Sequence, residues 1–183
     1  MESCQINKPE DCWDCLDGFK VVRGMLSGEL LGFLGMYAFN QAQMPDAVPT
    51  KDHRGFVDDQ VPNTPAWHDD LAMMNLMYYL FVDIENHTGE SLCPTYSYLR
   101  VYKHGDVLKR HTDRNSCEFS MTLTLMREDG DDIWPIYLET DRTHKVELEA
   151  GDALIYKGVE SPHWRNKFEG ERLAQVFLHY VRR

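Results

Sequence analysis

Two hydrophobic rhythms divide the chain. In the first ninety residues apolar positions recur at helical spacing: Leu30, Leu31, Leu34 and Tyr37, with Phe33 beside them, predict a helix capped by Ser27 and running to about Gln43. Leu71, Met74, Tyr78 and Phe81 repeat the period, and Thr64-Pro65 ahead of them offers an N-cap residue and a first-turn proline, so a second helix is expected over about Pro65 to Asn86. Between the two lies 45–62, rich in Pro, Asp and Gly and long enough to be a lid, with Gly55 as its flexible point.

From Cys93 onward the period falls to two. Phe119-Ser120-Met121-Thr122-Leu123-Thr124-Leu125 sets apolar side chains on one face and hydroxyls on the other. Tyr96 to Tyr102, Trp134 to Leu138, Lys145 to Leu148, Asp152 to Tyr156, Ser161 to Arg165 and Arg172 to Val181 follow as short runs between Gly, Asp, Asn and Pro signals. Many short strands separated by turns predict an α+β, mainly β chain: a double-stranded β-helix, or jelly roll, over 91–183, supported by helices from 1–90, all in one domain spanning 1–183.

Candidate chemistry falls in the β half. His111-Thr112-Asp113 follows a strand, where an i, i+2 pair points the same way, and His163 comes fifty-two residues later. Two neutral imidazoles and one carboxylate on one side of a divalent ion leave positions open for reaction, as non-haem Fe(II) oxygenases require. Arg172, nine residues on, is a planar fork suited to a carboxylate. Its plainer reading is a surface salt bridge, with Glu169 and Glu171 nearby. On the last strand Arg172 shares a face with Ala174, Val176 and Leu178, which is expected to point into the barrel, and Thr122 and Thr124 are candidates to complete the pocket. A second triplet, His68-Asp69-Asp70, serves as a control: on the expected helix His68 and Asp70 diverge, and the acids complement the helix dipole. His104, His144 and His179 are read as structural or solvent-facing, and Trp164 as an apolar neighbour of the metal.

Composition narrows the function classes. A net charge of −11 disfavours nucleic acid and anionic membranes as partners, and no apolar run reaches the length of a membrane span. Five cysteines, an odd and scattered set, with no basic and apolar leader at the start, point to a reducing cytoplasm. Cys12-Trp13-Asp14-Cys15 lacks a second ligand pair at zinc spacing and is assigned no role.

Taken in order, Tyr102-Lys103-His104-Gly105, His111-Thr112-Asp113, Gly151-Asp152-Ala153-Leu154-Ile155-Tyr156, Pro162-His163-Trp164 and Arg172 resemble the 2-oxoglutarate and Fe(II)-dependent dioxygenases, in their prolyl 4-hydroxylase-like branch. The resemblance covers about Tyr96 to Tyr180; residues 1–90 carry no family motif. It implies His111, Asp113 and His163 as iron ligands, Arg172 as the clamp on the distal carboxylate of 2-oxoglutarate, and Tyr102 beside it; Thr124 is a cosubstrate-pocket candidate from its strand face alone, with surface exposure as the alternative. It further implies O₂ as oxidant, ascorbate as a candidate reductant, and hydroxylation of a C–H bond, on a prolyl residue of a peptide or protein, with release of succinate and CO₂. The alternatives are the same chemistry on a free amino acid or small metabolite, and a cupin-like metal-binding module without turnover.

Overall fold

The computed structural model describes residues 18–43, 58–62, 64–128, 130 and 132–183. Cys12, Cys15 and most of the candidate lid lie outside the described residues, which resume at Asp58.

The elements in chain order are β1 (Phe19–Val22), α1 (Gly28–Gln43), β2 (Ala66–His68), α2 (Leu71–Tyr79), α3 (Phe81–Thr88), β3 (Leu92–Lys103), β4 (Leu108–His111), a short 3-10 helix (Asn115–Cys117), β5 (Phe119–Glu128), β6 (Ile136–Glu139), β7 (Thr143–Val146), β8 (Ala153–Tyr156), β9 (His163–Arg165) and β10 (Arg172–Arg182). The strands form two antiparallel sheets, β1-β8-β5-β10-β3-β2 and β4-β9-β6-β7, which make the expected jelly roll with helical support. Ile136, Leu138 and Val146 of the smaller sheet meet Leu154 and Tyr156 of the larger one in a buried cluster that joins the two.

The period-two pattern of β5 decides which side of the large sheet is which. Phe119, Met121, Leu123 and Leu125 pack with Leu34, Phe39, Met73, Met77 and Ile84 of the helices, together with Leu99, Val101, Ala174, Val176 and Leu178. Burying each such large apolar side chain stabilises the fold by about 1.5–3 kcal/mol. The apolar face of β5 therefore belongs to the helices, and the hydroxyl face, Ser120, Thr122 and Thr124, turns to the barrel interior, where all three are buried.

Helix α1 matches its expected span, but its buried side is Leu34, Gly35, Ala38 and Phe39, whereas Phe33 is 65% exposed. Gly35 sets this rotation: a Cβ there would stand 2.9 Å from Met126 Cβ and 3.0 Å from the Leu125 carbonyl, so only glycine lets the helix lie this close to β5.

The expected Pro65–Asn86 helix is corrected. Ala66–His68 forms an edge strand on β3, and helix starts only at Leu71, where Asp70 Oδ1 accepts from the N–H groups of Ala72 and Met73 at 3.0 and 3.2 Å. The helix then breaks at Leu80 into α2 and α3. Asp69, at φ 53°, makes the turn between strand and helix, accepting from Ser97 N through its side chain. Thr64 instead donates its hydroxyl to Asp106 at 2.6 Å, a tertiary contact that helical spacing does not reveal.

Candidate metal centre and carboxylate pocket

Strands β4 and β9 pair so that His111 and His163 are register partners, and Asp113 follows β4 by two residues. The ring centroids of the histidines stand 4.3 Å apart, and Asp113 Oδ1 lies 3.6 Å from Nε2 of each. The three residues form a group whose ligand atoms are all within 4.8 Å of one another.

Hydrogen bonds fix which atoms point inward. His111 Nδ1 lies 2.7 Å from the Lys109 carbonyl and His163 Nδ1 lies 3.0 Å from the Ser161 carbonyl. A carbonyl only accepts, so Nδ1 of each ring carries a proton, and in the neutral tautomer that a metal ligand requires Nε2 presents its lone pair toward Asp113. Burial lowers the His163 pKa, with Asp113 pulling the other way, which favours the neutral, ligating form. The Tyr156 hydroxyl stands 3.3 Å from His163 Nε2.

Asp113 is held on three sides. Its N–H donates to the Gly158 carbonyl at 2.9 Å, and Ser120 Oγ donates to Oδ2 at 2.7 Å, which leaves Oδ1 for the histidine side. Because the hydroxyl hydrogen of Ser120 is committed to a carboxylate, its oxygen accepts from His179 Nδ1 at 2.9 Å. Burial pushes the Asp113 carboxyl up, yet the histidines around it, His111 foremost, and the hydroxyl of Ser120 hold it well below the usual carboxylate range. His179 is pushed down to about 4, chiefly by burial, and stays neutral.

A cavity of 230 Å³ opens beside these residues and is lined further by Tyr96, Tyr98, Arg100, Tyr102 and Phe177. Tyr102 is fully buried, and its hydroxyl meets no partner with hydrogen-bond geometry among the described residues. Arg100 is 1% exposed; its Nη2 contacts the Asp58 carboxylate and donates to the Tyr98 hydroxyl at 3.0 Å, while its Nε has no partner among the described residues.

His111, Asp113, His163 and Tyr102 therefore converge, whereas Arg172 does not. It shares a face with Ala174, Val176 and Leu178 as expected, but that face turns to the helices. Its guanidinium grips Glu128 through two bonds of 2.7 and 3.0 Å and lies 4.3 Å from the Phe39 ring centroid. The salt-bridge alternative describes its placement, with Glu128 as partner in place of Glu169 or Glu171. Inward positions on β10 are Gln175, Phe177 and His179; Leu173, not Arg172, packs on Tyr102, Leu108 and Trp134.

Thr124 faces inward but is spent on another contact, donating to Gln175 Oε1 at 3.0 Å while Gln175 Nε2 donates to Thr122 at 2.7 Å. This closed network stands outside the cavity lining. Trp164 projects opposite to His163 and stacks on Tyr137 at 5.5 Å, so it is not a neighbour of the metal side. His68 pairs with Asp69 at 2.9 Å, away from the three candidate ligands. His179, Ser120, Gly158 and Arg100 are site residues that spacing did not flag; the alternation of Gln175, Phe177 and His179 on β10 was the available signal for the first.

No family model matches the chain, and no curated protein matches it in sequence. Solved structures do. A prolyl-4-hydroxylase of Pseudomonas putida aligns over 96% of this chain and 100% of its own at 18% identity and a TM-score of 0.72. An oxidoreductase of the 2OG-Fe(II) oxygenase family from Burkholderia pseudomallei aligns over 100% and 94% at 14% identity and a TM-score of 0.68. HygX from Streptomyces hygroscopicus, solved with nickel, 2-oxoglutarate and hygromycin B bound, aligns over 90% and 83% at 12% identity and a TM-score of 0.66. At these identities the likeness is one of fold, and the fold is that of the 2-oxoglutarate and Fe(II)-dependent oxygenases, prolyl hydroxylases among them.

Proposed function

We propose that this chain is an Fe(II)- and 2-oxoglutarate-dependent dioxygenase that hydroxylates a C–H bond, with a prolyl residue of a peptide as the substrate class. The observation that carries the reading is the convergence of two proton-bearing Nδ1 atoms held by carbonyls, two inward Nε2 lone pairs and one unoccupied carboxylate oxygen on a single cavity wall.

The donor set fits the metal. Ligands about 2.1 Å from an ion and at right angles stand roughly 3.0 Å apart, so the 3.6 Å separations need to close by only a few tenths of an ångström. His111, Asp113 and His163 would hold iron, and 2-oxoglutarate fits a cavity that has orphaned polar atoms on Tyr102 and Arg100 at its wall. Bound iron supplies O₂ activation driven by decarboxylation of the 2-oxo acid, so that R–H, O₂ and 2-oxoglutarate become R–OH, succinate and CO₂.

The protein's own work is positional. Ser120 holds the Asp113 side chain and the Gly158 carbonyl its backbone, the Lys109 and Ser161 carbonyls hold the imidazole tautomers, and the buried rings of Tyr98, Tyr102 and Tyr156 wall the cavity. A cavity of 230 Å³ is small for a binding site, so once a 2-oxo acid occupies it only the reacting end of a bulky substrate enters, as the single ring of a prolyl residue in a peptide would.

Succinate formation across proline-containing peptides, free proline and other free amino acids tests the reading. Peptide-dependent succinate with a 16 Da gain on the prolyl residue supports it. Stimulation by free amino acids alone replaces the substrate class, and no succinate with any substrate from iron-loaded protein rejects the enzyme.

A further inference from the structure

A five-carbon dicarboxylate needs a cation for the end remote from the metal, and Arg172 is committed to Glu128 on the far side of the large sheet. At the level of Tyr102 the inward residue of β10 is its register partner Leu173, which carries no charge. Strand β3 does carry one. Its even-numbered residues Tyr96, Tyr98, Arg100 and Tyr102 all line the cavity that His111, Asp113 and His163 also line. The Arg100 guanidinium carbon sits 5.3 Å from the Tyr98 ring centroid and 5.7 Å from that of Tyr102, which positions it between the two rings.

We propose that, in this chain, Arg100 together with the Tyr102 hydroxyl holds the distal carboxylate of the 2-oxo acid, the role that the sequence pattern gives to Arg172. The inference rests on the oxygenase reading above and deepens it.

Three observations carry it. Arg100 Nε and the Tyr102 hydroxyl are buried with no partner in full hydrogen-bond geometry among the described residues, the guanidinium acting on the hydroxyl from close by, and donors so placed at one cavity wall call for an acceptor. Arg100 already holds one carboxylate there, Asp58, whose other oxygen is tied to the N–H groups of Gln60 and Val61 at 3.0 Å, so the guanidinium is oriented for carboxylate recognition before any ligand arrives. Buried Arg165, whose Nη1 donates to the Trp134 carbonyl, adds a positive charge on the Tyr102 side of the cavity, opposite in sign to the Asp58 and Asp113 carboxylates that also line it.

The test is an anaerobic titration of the Fe(II)-loaded protein with 2-oxoglutarate and with 2-oxopentanoate, which has the same chain without the distal carboxylate. The readout is the visible band of the iron–2-oxo acid chelate. Wild type should prefer 2-oxoglutarate by about a hundredfold, as removal of a buried charge partner typically costs. Arg100→Met should lose that preference while binding 2-oxopentanoate like wild type, Arg100→Lys should recover part of it, and Arg172→Met should keep all of it. Retained preference in Arg100→Met, or lost preference in Arg172→Met, overturns the assignment. Should Arg100→Met fail to bind either acid, Tyr102→Phe decides: a drop of about tenfold for 2-oxoglutarate alone supports the seat, and no change rejects it. No band from wild type with either acid is a different failure, that of the oxygenase reading itself, and removes both.

Discussion

His111 and His163 are register partners across the β4–β9 ladder, and each is turned to the same side by a backbone carbonyl two residues before it, Lys109 for one and Ser161 for the other. An i−2 carbonyl on the same strand or its approach is a local contact, so each strand orients its own histidine, and ladder pairing then brings the two together. Asp113 depends instead on tertiary contacts to Ser120 and Gly158, and several predictions turn on that difference.

Gly158 is packed directly against Asp113. A Cβ there would stand 2.3 Å from Asp113 Oδ2, 2.5 Å from Ser120 Oγ and 2.6 Å from the Cys117 carbonyl. Gly158→Ala should displace Asp113, lowering Fe(II) affinity by at least about tenfold and destabilising the fold by about 1–3 kcal/mol. Calorimetric metal titration beside a urea melt checks both, and wild-type affinity in the variant would refute the packing described.

Ser120→Ala removes the hydroxyl that holds Asp113 Oδ2 and accepts from His179. Partners of this kind are worth about 10–100-fold in metal affinity. Iron binding should fall by that range with the far-ultraviolet circular dichroism unchanged.

Arg172→Met should behave as a surface substitution. The arginine is 31% exposed and Glu128 34%, so solvent screening keeps the pair's worth to about 1 kcal/mol even in its two-pronged geometry. The urea midpoint should move slightly and the 2-oxoglutarate requirement not at all. A large rise in that requirement would restore the arginine to the cosubstrate role.

How far this was legible in the chain depends on range. His111 and Asp113 are neighbours because they stand two residues apart at a strand end, a local fact, and the hydroxyl and apolar faces of β5 could be told apart for a similar reason; His163 joins them by ladder pairing. Which side of the sheet each face meets could not. Arg172, Ala174, Val176 and Leu178 do share a face, yet whether that face covers the barrel or the helices is settled by where α1 to α3 pack. The single error of side moved the arginine out of the pocket and hid His179 inside it. At Thr64-Pro65 the capping signal was genuine in composition but outcompeted by Asp70, whose carboxylate caps the helix and also accepts from Tyr37 at 2.6 Å. Gly158, Ser120 and Arg100 act through tertiary contacts, such as Ser120 to Asp113 and Arg100 to Asp58, or through packing, which no periodicity carries.

Acid sensitivity should appear first where a carboxylate ties the sheet edge to its neighbours. Asp152 accepts from Gly24 N at 2.9 Å, Arg23 at 2.7 Å and Glu149 N at 3.0 Å. Burial would raise its pKa, but these donors hold it below the usual value. A lowered folded-state pKa means stability that is present above the unfolded carboxylate value near 4 and lost as pH falls through it and then through the folded value. Asp152→Asn should therefore cost about 1–3 kcal/mol in urea at pH 7, with a gap to wild type that narrows toward pH 3. A gap independent of pH would contradict the assignment.

The central claim is that His111, Asp113 and His163 form one iron site that takes a 2-oxo acid. Anaerobic addition of Fe(II) and then 2-oxoglutarate tests it most directly. Folded wild-type protein should develop the weak visible band of the chelate, saturating at one iron per chain, and Asp113→Ala should not. A wild-type protein that is folded, binds no iron and gives no band, or an Asp113→Ala variant that gives the full band, would contradict the account.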